Sequence, residues 1–119
     1  MLYKNLTSFS YACKGIKIAW KEEVNFRIQV VIGLSVLCFA YALNVTHEEF
    51  LILILTIGVV LAVETLNTAL EEFCDMVRGS HDPHVAKIKD LGAGASLIAS
   101  ISSALIGIKT FLPHIISLL

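Results

Sequence analysis

The chain reads as an all-α membrane protein: one amphipathic N-terminal helix followed by three membrane-spanning helices. Three observations predict it. The composition is 56% hydrophobic against 16% charged over 119 residues, with mean hydropathy +0.79. A single soluble domain of that size cannot hide so much apolar surface, whereas a bilayer can. Three long runs carry no charge, and the basic residues are distributed unevenly between their flanks. A length of 119 residues bounds the chain to one domain, 1–119.

The first element is amphipathic. Leu6, Phe9, Cys13, Ile16 and Trp20 recur at spacings of three and four within residues 6–25, and Lys14, Lys17 and Lys21 lie off that stripe. A helix with one apolar and one basic face suits the membrane interface. The interfacial segment is placed at 1–27. The membrane helices follow at 28–46, 50–76 and 90–110. Ile28 to Thr46 is uncharged for 19 residues, enough to span. His47, Glu48 and Glu49 read as a short polar turn. Phe50 to Val63 adds only 14 uncharged residues, so the turns from Glu64 to Leu70 must complete that span. Gly79-Ser-His-Asp-Pro83 is a helix breaker. Leu91 to Ile108 is the third run, and Pro113 is expected to break or end its extension.

Basic residues set the orientation. Lys4, Lys14, Lys17, Lys21 and Arg27 precede the first span; Arg78, Lys87 and Lys89 lie between the second and third; the other side holds Lys109 alone. By the positive-inside rule the N-terminal helix and the 76–90 loop are cytoplasmic, and the cell's cytoplasmic membrane is the expected location. A net charge of −1 implies no nucleic-acid partner. Cys13, Cys38 and Cys74 form no CxxC and are expected to be reduced, buried packing residues. The N-terminus lacks a short apolar core before a small-residue cleavage site, so no signal peptide is expected.

The chemistry concentrates in Glu64, Asn67, Glu71 and Asp75. At about 100° per residue these four fall within roughly 80° of one another on one helical face. Carboxylates at membrane depth are costly and normally mark a functional site. This row can hold a metal, move a proton, or do both. The bland reading is helix capping or pairing with lysines; it suits Glu72 and Asp75 better than the deep Glu64. Lys89-Asp90 opens the third span ahead of Gly92-Ala-Gly94-Ala-Ser96. Asp90 there is an N-cap and Lys89 a snorkelling anchor, or Lys89 neutralises phosphate oxygens. The small residues allow close helix approach and leave room for a bulky ligand. Glu22-Glu23 is a solvated pair, or one of the two completes a divalent-metal site. His81 and His84 form a weak metal signal. P-loop, GxGxxG and GxSxG motifs are missing.

Together these residues resemble the prokaryotic diacylglycerol kinase family, which includes undecaprenol kinases. The matching pieces are Ser8-Phe9-Ser-Tyr11-Ala12 with Gly15; Ala19-Trp20-Lys-Glu-Glu23-Val-Asn25-Phe26-Arg27; Glu64-Thr-Leu-Asn67-Thr-Ala69-Leu-Glu71 with Asp75; and Ala86-Lys-Ile-Lys89-Asp90-Leu-Gly-Ala-Gly94-Ala95. The resemblance implies a homotrimer of three-span subunits that transfers the γ-phosphoryl of Mg-ATP to a lipid hydroxyl. It implies Glu64 as catalytic base with Asn67 beside it, and Glu23 and Glu71 as ligands of Mg²⁺. It further implies nucleotide contacts from Lys89, Asp90, Lys4 and Tyr11, and from the 80–82 segment. Lys4 stands where some members have arginine, and Ala12 where the diacylglycerol branch has serine. The stretch around Glu23 and the neutral Gln29 resemble the undecaprenol branch, so undecaprenol is the expected acceptor and diacylglycerol the alternative. Two other classes use the same acids differently: a small proton or cation transporter, and a helper subunit indifferent to Glu64.

Overall fold

The computed structural model describes residues 2–77 and 82–119. Among these the chain forms four helices: α1 (Leu2–Glu22), α2 (Val24–Ala42), α3 (His47–Val77) and α4 (Pro83–Leu118). The last three are long and apolar enough, by length and composition, to cross a membrane. At 1.5 Å per residue the 31 residues of α3 span about 46 Å and the 36 of α4 about 54 Å. Both exceed a hydrocarbon core of about 30 Å. The α3 end that carries Glu71 and Asp75 therefore has length to emerge from it.

One residue separates α1 from α2. Glu23 takes an extended conformation, φ −110° and ψ 107°, while its N–H still donates to Ala19 O and its carbonyl accepts from Arg27 N. The Arg27 guanidinium Nη1 donates to Trp20 O at 2.6 Å and Lys21 O at 2.9 Å. Those carbonyls are left without partners by the end of α1, and a planar cation can satisfy two at once. Arg27 is thus a C-terminal cap that fixes the bend, besides being a flanking charge. Consequently α2 begins at Val24 and not at residue 28. Ala19 is the buried residue of α1; Leu6, Phe9, Ile16 and Trp20 are exposed.

The α2–α3 connection follows standard capping chemistry. Asn44 is left-handed, φ 56°, a conformation asparagine tolerates. Asn44 N donates to Tyr41 O and Val45 N to Ala40 O, the paired bonds of a Schellman end. Thr46 and Glu49 then form a capping box: Glu49 N donates to Thr46 Oγ1, and Thr46 N to Glu49 Oε1. His47, Glu48 and Glu49 are therefore the first turn of α3, not a separate polar turn. Asp82 is the N-cap of α4, accepting from His84 N at 2.8 Å, with Pro83 in the first turn. Asp90, considered for that cap, lies two turns inside the helix.

Helix α4 does not stop at Pro113 but continues to Leu118. Proline removes one backbone donor, and contacts on both sides hold the chain in line. Phe111 packs on Phe39 of α2 with ring centroids 5.2 Å apart. His114 Nε2 lies 3.0 Å from Glu49 Oε1 of α3. Helices α3 and α4 pack antiparallel, α2 packs against α3, and α1 touches α2 and α3. Gly33 brings α2 so close to α3 that an added Cβ would lie 2.8 Å from Ile57 Cγ2. Of the cysteines only Cys74 is buried; Cys13 and Cys38 are exposed on their helices. The expectation of three buried cysteines fails because α1 and α2 turn those faces outward.

Candidate active site

The polar face of α3 meets α4 as an antiparallel ladder. Glu64 Oε2 accepts a 2.9 Å hydrogen bond from Ser96 Oγ. One turn along, Asn67 abuts Gly92. At the helix end, Asp75 Oδ1 pairs with Lys89 Nζ at 2.6 Å. The α4 partners Lys89, Gly92 and Ser96 are themselves spaced three and four apart, so they form one stripe.

Burial grades along this ladder. Glu64 and Asn67 are 8% and 9% exposed, Glu71 is half-buried, and Asp75 and Glu72 are exposed. The Asn67 amide donates from Nδ2 to Glu71 Oε1 at 3.3 Å. Its Oδ1 is buried without a hydrogen-bond partner. Unsatisfied buried acceptors are uncommon and call for an explanation; here the orphan is turned towards Gly92 of α4.

Gly92 is what permits this approach. A Cβ at that position would collide with Asn67 Oδ1 and crowd Leu70 Cδ1 at 3.4 Å. Asn67 has little room to yield, being buried and tied to Glu71. Gly92→Ala is therefore expected to destabilise the protein by about 1–3 kcal/mol, the usual cost of overpacking. Thermal unfolding in detergent measures it. Adding Asn67→Ala should recover part of the loss, since the two sites share one contact. Wild-type stability of Gly92→Ala would show that the helices separate freely. At Gly94, by contrast, an added Cβ would meet nothing within 4 Å; of the two glycines, Gly92 is the one that sets the approach of α4 to α3.

The other candidate residues are dispersed. Glu23 stands half-buried at the α1–α2 bend, and its carboxylate makes no capping hydrogen bond. Lys89 and Asp90 diverge: Lys89 turns to Asp75, while Asp90 lines a shallow groove along α4 with Lys87, Leu91 and Gly94. Lys4 and Tyr11 lie on the exposed surface of α1, with the Lys14 ammonium 5.6 Å from the Tyr11 ring centroid. Ser80 and His81 lie outside the described residues. Among the described residues no three His, Cys, Asp or Glu side chains gather as a metal cluster.

Between α2, α3 and α4 runs a mainly apolar cavity of about 830 Å³. It starts beside Asn25 and Gln29 near the bend and reaches Phe111 and Ile115. Gln29 Oε1 is buried without a partner. Ser96 and Gly92 escaped identification as partners of Glu64 and Asn67 from sequence; their shared stripe with Lys89 was the available signal.

Four helices, three of them long and apolar enough to cross a membrane, with a buried carboxylate–amide pair between the two longest, define a helical membrane protein with an acidic interhelical site. The chain belongs to the prokaryotic diacylglycerol kinase family, which it matches over residues 10–111. It is 38% identical to a diacylglycerol kinase of Synechocystis sp. over 96% of this chain and 66% of that protein. It is 32% identical to the undecaprenol kinase of Bacillus subtilis over 91% of this chain and 88% of that protein. It is also 34% identical to the diacylglycerol kinase of Escherichia coli over 76% of this chain and 75% of that one. The chain thus spans about two thirds of the cyanobacterial relative and most of the other two.

Proposed function

We propose that this chain is an integral-membrane lipid kinase that transfers the γ-phosphoryl group of Mg-ATP to a lipid alcohol, undecaprenol in preference to diacylglycerol. The observation that carries it is the buried Glu64–Asn67 pair on the α3 face against α4, in a chain of this kinase family. In this reading the subunits form a homotrimer in the bacterial cytoplasmic membrane. Helix α1 lies in the interface, and the Glu64–Asp75 end of α3 faces the cytoplasm, where ATP is found.

Phosphoryl transfer needs chiefly positioning and charge neutralisation. Glu64 takes the proton of the acceptor hydroxyl as that oxygen bonds to the γ-phosphorus. The bond from the γ-phosphorus to the β–γ bridging oxygen breaks, and ADP departs. Asn67 orients Glu71 through its amide N–H. Mg²⁺ bound with phosphates needs only one or two carboxylates; Glu23, whose side chain makes no capping bond, and Glu71, which accepts a long bond from Asn67, are the two this reading assigns. Glu23 and Glu71 would hold it. When bound, Mg²⁺ offsets charge on the phosphate oxygens. Lys89 contacts phosphate after leaving Asp75; the pair is open to solvent on the Asp75 side, with Lys89 half-buried, and pairs at a surface contribute little, so releasing it is cheap. Asp90, Lys4 and Tyr11 complete the nucleotide contacts.

The acceptor preference is supported by the neutral Gln29 at the polar end of the apolar cavity. A polyprenol has one hydroxyl and no ester groups to satisfy, and it fits a mainly apolar flank better than a glyceryl headgroup does. Diacylglycerol is the second reading, because the relatives carry both names. The deciding experiment supplies purified protein with radiolabelled ATP and each lipid in separate detergent micelles. The expected result is phosphorylation of both, with kcat/KM about three- to tenfold higher for undecaprenol. A preference for diacylglycerol reverses the acceptor assignment. Cation flux in vesicles without ATP turnover would make the protein a transporter.

A further inference from the structure

We propose that Ser96 is the positioning residue for Glu64: its hydroxyl, reaching from α4, fixes one carboxylate oxygen so that the other is presented to the acceptor alcohol. The inference rests on Glu64 being the proton acceptor, and it adds a residue to that role. The bond is 2.9 Å from Ser96 Oγ to Glu64 Oε2 and joins residues 32 positions apart. Among the described residues it is the one hydrogen bond made by that carboxylate.

Helical serines and threonines ordinarily bond back to their own helix. Ser35 does so to Val31 O, Thr56 to Ile52 O, Thr65 to Leu61 O, Thr68 to Glu64 O, and Ser103 to Ser100 O. Ser96 instead crosses to α3. Its side chain is short, so the crossing requires the close helix approach that Gly92, one turn earlier, provides. A glutamate side chain has several rotamers, and a base must be held in near-attack geometry to be effective. Pinning Oε2 leaves Oε1 as the proton acceptor. Once Oε1 carries the proton, Oε2 is still an acceptor, so the Ser96 hydroxyl keeps its bond through the proton transfer.

The test compares full-length Ser96→Ala, Ser96→Thr and Glu64→Gln with wild type in detergent micelles, using Mg-ATP and undecaprenol. Ser96→Ala is expected to lower kcat about ten- to a hundredfold. Its KM for ATP and for lipid should stay within about twofold of wild type, with the variant still folded and assembled at the assay temperature. Ser96→Thr, which keeps the hydroxyl, should recover most of the rate. A merely structural role predicts otherwise, so a wild-type kcat in Ser96→Ala, a loss confined to KM or the thermal midpoint, or a threonine variant no better than alanine overturns the proposal. Glu64→Gln separates the two assignments. If it is inactive while Ser96→Ala keeps full kcat, only the positioning role fails; if it is fully active, the base assignment fails and the positioning role with it.

Discussion

Glu64→Gln is expected to reduce phosphoryl transfer by about 10²–10⁴-fold, the range a general base supplies, while the protein still inserts and assembles. Glutamine matches glutamate in shape, so the packing of α3 on α4 should survive, and its side-chain oxygen can still accept from Ser96. What it loses, on the proposed mechanism, is the ability to take a proton from the acceptor alcohol. The residue is 8% exposed, and a carboxylate so placed is costly unless it has work to do. Asp75, exposed and paired with Lys89, carries no such expectation. The measurement is kcat with saturating Mg-ATP, alongside size-exclusion chromatography in detergent to verify assembly. Equal phosphorylation by mutant and wild type would remove Glu64 from the chemistry.

Glu23→Ala and Glu71→Ala are each expected to raise the Mg²⁺ concentration for half-maximal activity by about tenfold or more, consistent with losing one of the two charged ligands of the proposed metal site. Metal titration at fixed ATP reads this directly. The two acids come from different elements, Glu23 from the α1–α2 bend and Glu71 from α3, so a metal held between them would also tie the bend to α3. Glu71→Ala has a second consequence, because Asn67 Nδ2 would lose its acceptor. Its kcat should therefore remain below wild type at saturating Mg²⁺, whereas Glu23→Ala should be largely restored by excess metal. Wild-type titrations for both variants would make them surface charges and move the metal site elsewhere.

Local chemistry was legible in the residue string wherever one segment suffices to decide it. The uncharged runs 28–46, 50–63 and 91–108 mark three helices of membrane-spanning length. The period of the Glu64, Asn67, Glu71 and Asp75 spacing puts these residues on one face, because helical geometry depends only on separation along the chain. Family membership was legible for the same reason: its motifs are short and ordered. Some local signals were present but misjudged. Thr46 and Glu49 spell a capping box, yet the acids beside them suggested a turn. Pro113 suggested a helix end, because proline's cost is local while the contacts of Phe111 and His114 that offset it are not.

Only the tertiary structure decided what stands across from the acidic face. Whether Glu64 meets Ser96, Ala93 or Ser100 depends on the relative slide and rotation of α3 and α4. That is set by side-chain packing summed along two long helices, above all where Gly92 admits Asn67. Adjacent residues likewise parted company: one position along a helix is a turn of about 100°, so Lys89 joins the ladder through Asp75 while Asp90 faces another groove. Arg27 turned back to cap α1 because the single extended residue Glu23 aims two carbonyls at it. The sequence by itself determined the helices and the face on which the acids lie; the packing of α3 on α4 determined their partners, because hydrogen bonds between helices depend on a register that no single helix encodes.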